Sequence, residues 1–268
     1  MWLIELLLEP DRKPNEAAMH TNPLQDYSDD KGNVIEFSGT TSPKSFVTFR
    51  GSNNRVIIDP QANIPFMSVL MDCDNGTLII KRTRAKFSAR IRIGQDSTIK
   101  IGKSVSSTGP VDISACEGTT VQIGNDCMIA LGVRIRSDDG HPIFDVTSGK
   151  RINVSRDITI KDHVWLGIES SILKGAVIGE GSVVGAGSLV SGTFPNNCAI
   201  GGNPAKILST NIAWERPHLS LSEPYYKPHV SALKKQSKYW NLTKQSSTGR
   251  QALGKLKRAV KPKKNKKK

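Results

Sequence analysis

"ITIKDHVWLGIESSILKGAVIGEGSVVGAGSLV", residues 158–190, carries an aliphatic side chain at every sixth place: Ile160, Leu166, Ile172, Ile178, Val184 and Val190. Midway between them, and continuing one step on, stand Val164, Ser170, Ala176, Ser182, Ser188 and Phe194, five of the six small or β-branched. Six is neither the period of a helix nor a multiple of a heptad. It suits short strands joined by tight turns and coiled so that each strand stacks on its counterpart in the next coil. Gly167, Gly175, Gly179, Gly181, Gly185 and Gly187 fall at turn places, where positive φ is expected. The step recurs upstream from Ile93 to Ile99 and at Ile123, Ile129 and Ile135, and "RVIIDPQANI" from Arg55 reads as a worn coil. No amphipathic helix of adequate length interrupts the span, which argues against a globular αβ fold.

The 268-residue chain carries a net charge of +14, and all of the excess is at one end. From Ser231 to Lys268 there are fourteen Lys or Arg and no Asp or Glu, and the rest of the chain balances with 24 of each sign. The stretch "GKLKRAVKPKKNKKK" has too few apolar residues to offset the entropy of ordering, so disorder is expected beyond Gly254. It is either a solubilising appendage or an electrostatic tether to an anionic polymer or membrane surface; nucleic acid is the disfavoured partner. The opening "MWLIELLLEP" is too short to span a bilayer and lacks the flanks of a secretory signal. A cytoplasmic protein is expected, free or peripheral at the inner face of the membrane. Cys73, Cys116, Cys127 and Cys198 are scattered with no Cys-x-x-Cys pair, which argues against zinc and disulfides and for buried thiols.

Between Ile135 and Ile152 the six-residue step lapses, and "SDDGHPIFD", residues 137–145, holds a histidine there. In a solenoid such a lapse means an extension thrust out from one corner, and loops on a rigid scaffold are common places for chemistry.

Four stretches carry a resemblance: "IGNDCMIALGVRIRSDDGHPIFD", "GKRINVSRDITIKDHVWLG", "LKGAVIGEGSVVGAGSLV" and "PNNCAIGGNPAKIL". With them, the span from about Ile93 to Trp214 resembles the hexapeptide-repeat acyltransferases, in the branch that O-acetylates sugars and capsular polysaccharides. The resemblance implies an all-β fold, a left-handed parallel β-helix of triangular section. It also implies a homotrimer with sites between neighbouring subunits, and acetyl-CoA as acyl donor. The handedness is an exception to the general rule for parallel crossovers and is taken from the resemblance alone. The expected organisation is an N-terminal cap and linker over 1–33 that includes a short helix, the β-helix over 34–208 with its catalytic loop at 136–152, a C-terminal cap over 209–253 and the polybasic tail over 254–268. A helix is expected around Ser231 to Trp240 to help close that end.

By the same resemblance His141 is the general base. A free imidazole titrates near pH ~6.5, so it can take a hydroxyl proton and return it to a departing thiolate. Asp139 is expected to accept a hydrogen bond from the ring and fix its tautomer, with Asp138 and Asp145 as competitors. Where the relatives carry a polar Asn one coil earlier, this chain offers Pro110 and Asp112, and Asp112 is carried as an acceptor contact. Trp165 matches the tryptophan flanking the donor groove. Gly167, Ala186 and Ser191 fall on positions presented to the pantetheine arm, and Lys206 is expected at a phosphate. Packing demand in the coils equally explains the small residues, and Trp165 could equally be a subunit-packing aromatic. His163 matches no role and is expected at the surface.

A γ-type carbonic anhydrase would need three zinc-binding histidines across adjacent coils, whereas only His141 and His163 lie within the repeat, so no metal is expected. A sugar nucleotidyltransferase would need a phosphate loop in residues 1–92, and none is there. Transfer to an amino sugar nitrogen, and a non-catalytic solenoid gripping an anionic polymer through its tail, remain as alternatives.

Overall fold

Each six-residue step in the C-terminal half builds one short strand and one turn, and three steps close a coil. In the computed structural model, which describes residues 21–244 except 84, 221 and 224–226, the strands stack into three sheets of eight, nine and six members. The opening apolar run and the polybasic tail lie outside the described residues. The coil-to-coil pairings are parallel and in register: Leu166 lies on Val184, and Ile172 on Val190. Ile160, Leu166, Ile172, Ile178, Val184 and Val190 are all fully buried, stacked on one another through the core. Each such side chain contributes on the order of 1.5–3 kcal/mol against the ordering entropy. The architecture is the parallel β-helix that the repeat and the resemblance imply.

The N-terminal coils are wider. Val47, Val69, Ile91, Ile113 and Ile135 are successive partners in the first sheet, and each is separated from the next by a longer stretch of chain than separates Ile172 from Val190. The surplus sits on the third side, where the sheet begins only at Ser106–Ser107. Irregular chain fills that side before it, with Phe37, Ala62, Ile64 and Phe87 buried beneath. Antiparallel strands terminate the stack. Thr21–Pro23 and Tyr27–Ser28 cover the first turns, and Lys206–Thr210 folds back on Cys198–Gly201. They protect edges that would otherwise offer unpaired backbone groups.

The glycines divide into two kinds. Gly175, Gly181 and Gly187 have φ of 79°, 67° and 64°, as expected of left-handed turn places. Gly167, Gly179 and Gly185 do not, which corrects the single reading given to all six. A Cβ on Gly167 would lie 2.6 Å from the Val184 carbonyl oxygen, and one on Gly179 would lie 2.4 Å from the Asn196 nitrogen. Those two glycines let adjacent coils approach.

Two further expectations need correction. The chain from Ser231 to Trp240 forms two single-turn 3-10 helices, Val230–Ala232 and Ser237–Tyr239, and no longer helix. Its polar groups are drawn onto the solenoid and the preceding chain: the Gln236 amide donates to Glu215 at 2.6 Å, and the Tyr239 carbonyl accepts from Asn197 at 2.6 Å. The chain expected as the C-terminal cap also does more than close an end. Arg216 donates to the Ser104 carbonyl and the Ser106 hydroxyl, while Asn196 donates to the Leu242 carbonyl. The chain therefore runs as a strap along one corner. Cys116, Cys127 and Cys198 are buried free thiols and Cys73 is half-buried.

Candidate functional site

The first sheet's strand Arg134–Arg136 and the second sheet's strand Ile158–Ile160 enclose the lapse. Ile135 pairs with Ile172 across a longer stretch of chain than joins Ile113 to Ile135, so this turn carries extra residues. The surplus forms an extension from the corner between these two sheets. Its far end is a small hairpin closed by the Phe144–Arg151 bridge and by Asp145, whose carboxylate accepts from the Ser148 amide and hydroxyl at 2.7 Å. That end buries little: Val146 is 97% exposed, and Ile143, Phe144 and Ile152 are exposed too.

Polar contacts hold the near end. Asp138 is buried and accepts from the Ser114 hydroxyl at 2.8 Å and the Gly140 amide at 2.9 Å. Asn153, 6% exposed, donates to the His141 carbonyl at 2.8 Å and to Asp139 at 2.9 Å, and its own oxygen accepts from the Ile143 amide at 2.7 Å. Lys174, from the next coil, donates to Asp139 and, at 2.9 Å, to the Asn153 carbonyl. Hydrogen bonds from Lys174 and then Asn153 hold the Asp139 carboxyl below its ordinary range. Glu117 pins the returning limb of the loop. Hydrogen bonds from Arg151 and then Ser155 pull its carboxyl down to about 2.

His141 itself is exposed, and its ring has no hydrogen-bond partner among the described residues. The contact expected of Asp139 is not made: its carboxylate faces Lys174 and Asn153, with no hydrogen bond to the imidazole. Asp138 and Asp145 are likewise committed elsewhere. Asp112 forms a two-pronged pair with Arg90, at 2.6 and 3.0 Å, on the outer face of the first sheet.

Trp165 stands 38% exposed on the outer face of the third sheet, between Met128 and Val183. Gly167 is buried against the next coil, while Ala186, Ser191 and Lys206 are exposed. A Cβ on Gly187 would meet nothing within 4 Å, so the surface beside Ala186 is open. An exposed indole, a run of small residues beside it and an exposed ammonium suit a flexible arm ending in phosphates. Within one chain, however, His141 leaves the corner between the first and second sheets whereas Trp165 lies on the third. The two are on different faces.

His163 is the residue the sequence reading misplaced. It is 1% exposed, its ring stacked between Trp214 (centroids 4.1 Å apart, 13°) and Tyr239 (4.2 Å, 1°). Its Nδ1 lies 2.8 Å from Asp126 Oδ2 and its Nε2 3.1 Å from the Trp214 carbonyl. Arg216 pairs with the other Asp126 oxygen at 2.9 Å. Burial pushes the Asp126 carboxyl up, but the His163 hydrogen bond and the Arg216 charge outweigh it and bring it below the ordinary value. Trp214 in turn lies 6.0 Å from Trp165, so the strap backs the exposed indole. Both stacking partners come from the strap, far along the chain from His163 and beyond the reach of any local pattern.

A repeat-built solenoid of three parallel sheets with one polar loop is the frame of a hexapeptide transferase. Residues 157–192 match the family described as bacterial transferase hexapeptide (six repeats). The chain is 35% identical over 186 residues to a polysialic acid O-acetyltransferase of Neisseria meningitidis, covering 69% of this chain and 86% of that protein. It belongs to the hexapeptide-repeat transferase family, alongside the polysialic acid and related sugar O-acetyltransferases. A polysialic acid O-acetyltransferase of Escherichia coli O1:K1 / APEC is 46% identical over 128 residues, which span 48% of this chain and only 39% of that protein. Among solved structures, a polysialic-acid-specific acetyltransferase superposes with a TM-score of 0.63 at 40% identity, over 69% of this chain and 79% of its own.

Proposed function

We propose that this chain is an O-acetyltransferase that moves an acetyl group from acetyl-CoA to a sugar hydroxyl in a surface or capsular polysaccharide, with His141 as general base. The observation that carries the reading is the loop at the lapse, whose main chain is held at His141 by Asn153 while the ring has no partner among the described residues. A ring with no other commitment can accept a proton from a bound hydroxyl. The hydroxyl oxygen then attacks the thioester carbonyl as its proton passes to the imidazole. Collapse of the tetrahedral intermediate breaks the carbon–sulfur bond, and the imidazolium returns the proton to the thiolate. An acetyl ester, free coenzyme A and neutral His141 result, with no acyl-enzyme.

Trp165, Gly167, Ala186, Ser191 and Lys206 would hold the donor. Placement of His141 and Trp165 on different faces of one chain supports a site completed between subunits of a homotrimer, the loop of one copy meeting the third sheet of the next. Polysialic acid is the acceptor named for two relatives and is the first acceptor to offer. Release of free coenzyme A is measured for wild type and His141→Ala against a panel of sugar hydroxyl and amine acceptors. Loss of transfer in the variant is expected; equal rates would refute the reading. Sedimentation analysis tests the trimer.

A further inference from the structure

We propose that Asn153 is the positioning residue of the loop, fixing His141 through its main chain, and that Asp139 belongs to this anchor and not to the imidazole. The inference rests on His141 being the base. A base must sit within hydrogen-bond reach of its proton, and a displacement of about 1 Å can cost about a hundredfold in rate. This loop has little apolar burial with which to hold such a position, so polar contacts must do so.

Asn153 uses its whole amide for that task. Its nitrogen donates to the His141 carbonyl and to Asp139, and its oxygen accepts from the Ile143 amide and from Arg151 at 3.2 Å. Residues 139, 141 and 143 on the outgoing limb are thereby tied to 151 and 153 on the return. His141 is bracketed on both sides. Lys174 connects this knot to the solenoid, since its ammonium, with a side chain 15% exposed, reaches both Asp139 and the Asn153 carbonyl. The carboxylate of Asp139 is thus spent on the anchor, which leaves the ring to be oriented by whatever enters the site.

The test uses the full chain, with acetyl-CoA and polysialic acid as probes, and hydrogen exchange as a readout independent of turnover. In Asn153→Ala, the Ile143 amide should lose protection while solenoid amides such as Lys161 keep theirs. Its kcat should fall about a hundredfold with the KM for acetyl-CoA within about threefold. Asn153→Asp, which keeps the acceptor but loses both donors, should fail equally. Asp139→Asn still accepts from Lys174 and should leave the pH dependence of kcat/KM where it is in wild type. Unchanged protection at Ile143 overturns the anchor, and so does wild-type kcat in Asn153→Ala when His141→Ala is inactive. A shift of the pH limb in Asp139→Asn by more than about half a unit returns Asp139 to the imidazole. If His141→Ala keeps full turnover, the reading beneath fails and the proposal with it, a result distinct from the others.

Discussion

Replacing His163 by alanine should release the C-terminal strap and leave the solenoid intact. The substitution removes a contact at 2.8 Å to the ionised Asp126 and another at 3.1 Å to the Trp214 carbonyl. Both partners are acceptors, so only one hydrogen bond is counted, of about 1.5–3 kcal/mol to the carboxylate. It also deletes two stacked faces, each worth about 0.5–1.5 kcal/mol beyond its burial. These contributions overlap, so about 3 kcal/mol, near the low end of their sum, is the expected loss, or about two decades in the strap's opening equilibrium. Native-state hydrogen exchange reads that equilibrium directly. The Ile212 amide, bonded to the Asn197 carbonyl, and the Trp240 amide, bonded to Ser237, should exchange about a hundredfold faster. The Lys161 amide, bonded to Ile178 between coils, should not change. His163→Phe retains the stack and loses both polar contacts, and should fall between. A change below about threefold at Ile212 and Trp240 would show that the stack does not hold the strap. Equal losses at Lys161 would show that strap and solenoid open as one unit, and either result refutes the argument.

Three further outcomes follow from the same geometry. Gly167→Ala should lower stability by about 1–3 kcal/mol, because its Cβ meets backbone of the next coil at 2.6 Å, whereas Gly187→Ala, facing open space at φ 64°, should cost about 1–2 kcal/mol of torsional strain; urea denaturation checks both. Trp165→Ala should raise the KM for acetyl-CoA about two- to tenfold, the value of one aromatic contact of about 0.5–1.5 kcal/mol, with thermal stability little changed because the indole is half-exposed. The Glu117 tie to Arg151 and Ser155, whose carboxyl sits at about 2 against an ordinary 4.5, should be complete above pH 4.5 and lost as pH falls through about 2. Exchange at residues 151–155 between about pH 5 and 2 would show the loss in wild type and none in Glu117→Gln, where no carboxyl titrates.

The coils after Ile158 are legible because each divides into three equal steps of strand and turn, and the eye needs only a period. The coils before Ile135 hide the same construction, since an irregular third side lengthens the path from Val47 to its partner Val69 and breaks the step of six once per turn. The loop was legible as a lapse and His141 as its occupant. What Asp139 touches was not, because Lys174 belongs to the next coil and arrives only when that coil stacks.

His163 left one signal that could have been read. Ser104, Asp126, His163, Gly181 and Asn197 form a column along one corner, all with φ between 53° and 67°. At such a place glycine is the least costly residue, and a side chain there carries about 1–2 kcal/mol of strain. Three of the four non-glycine side chains in the column make contacts that can offset the strain. Asp126 holds Arg216, His163 holds Trp214 and Tyr239, and Asn197 holds the Ile212 and Tyr239 carbonyls. All of these contacts fall on the strap. The neighbouring corner, which the described strap does not cover, has Gly132 and Gly187 in the equivalent column, with Glu169 between them at φ 57° and without a side-chain partner among the described residues. At this corner the Asp, His and Asn that occupy left-handed turn places are thus the residues to which the strap is tied.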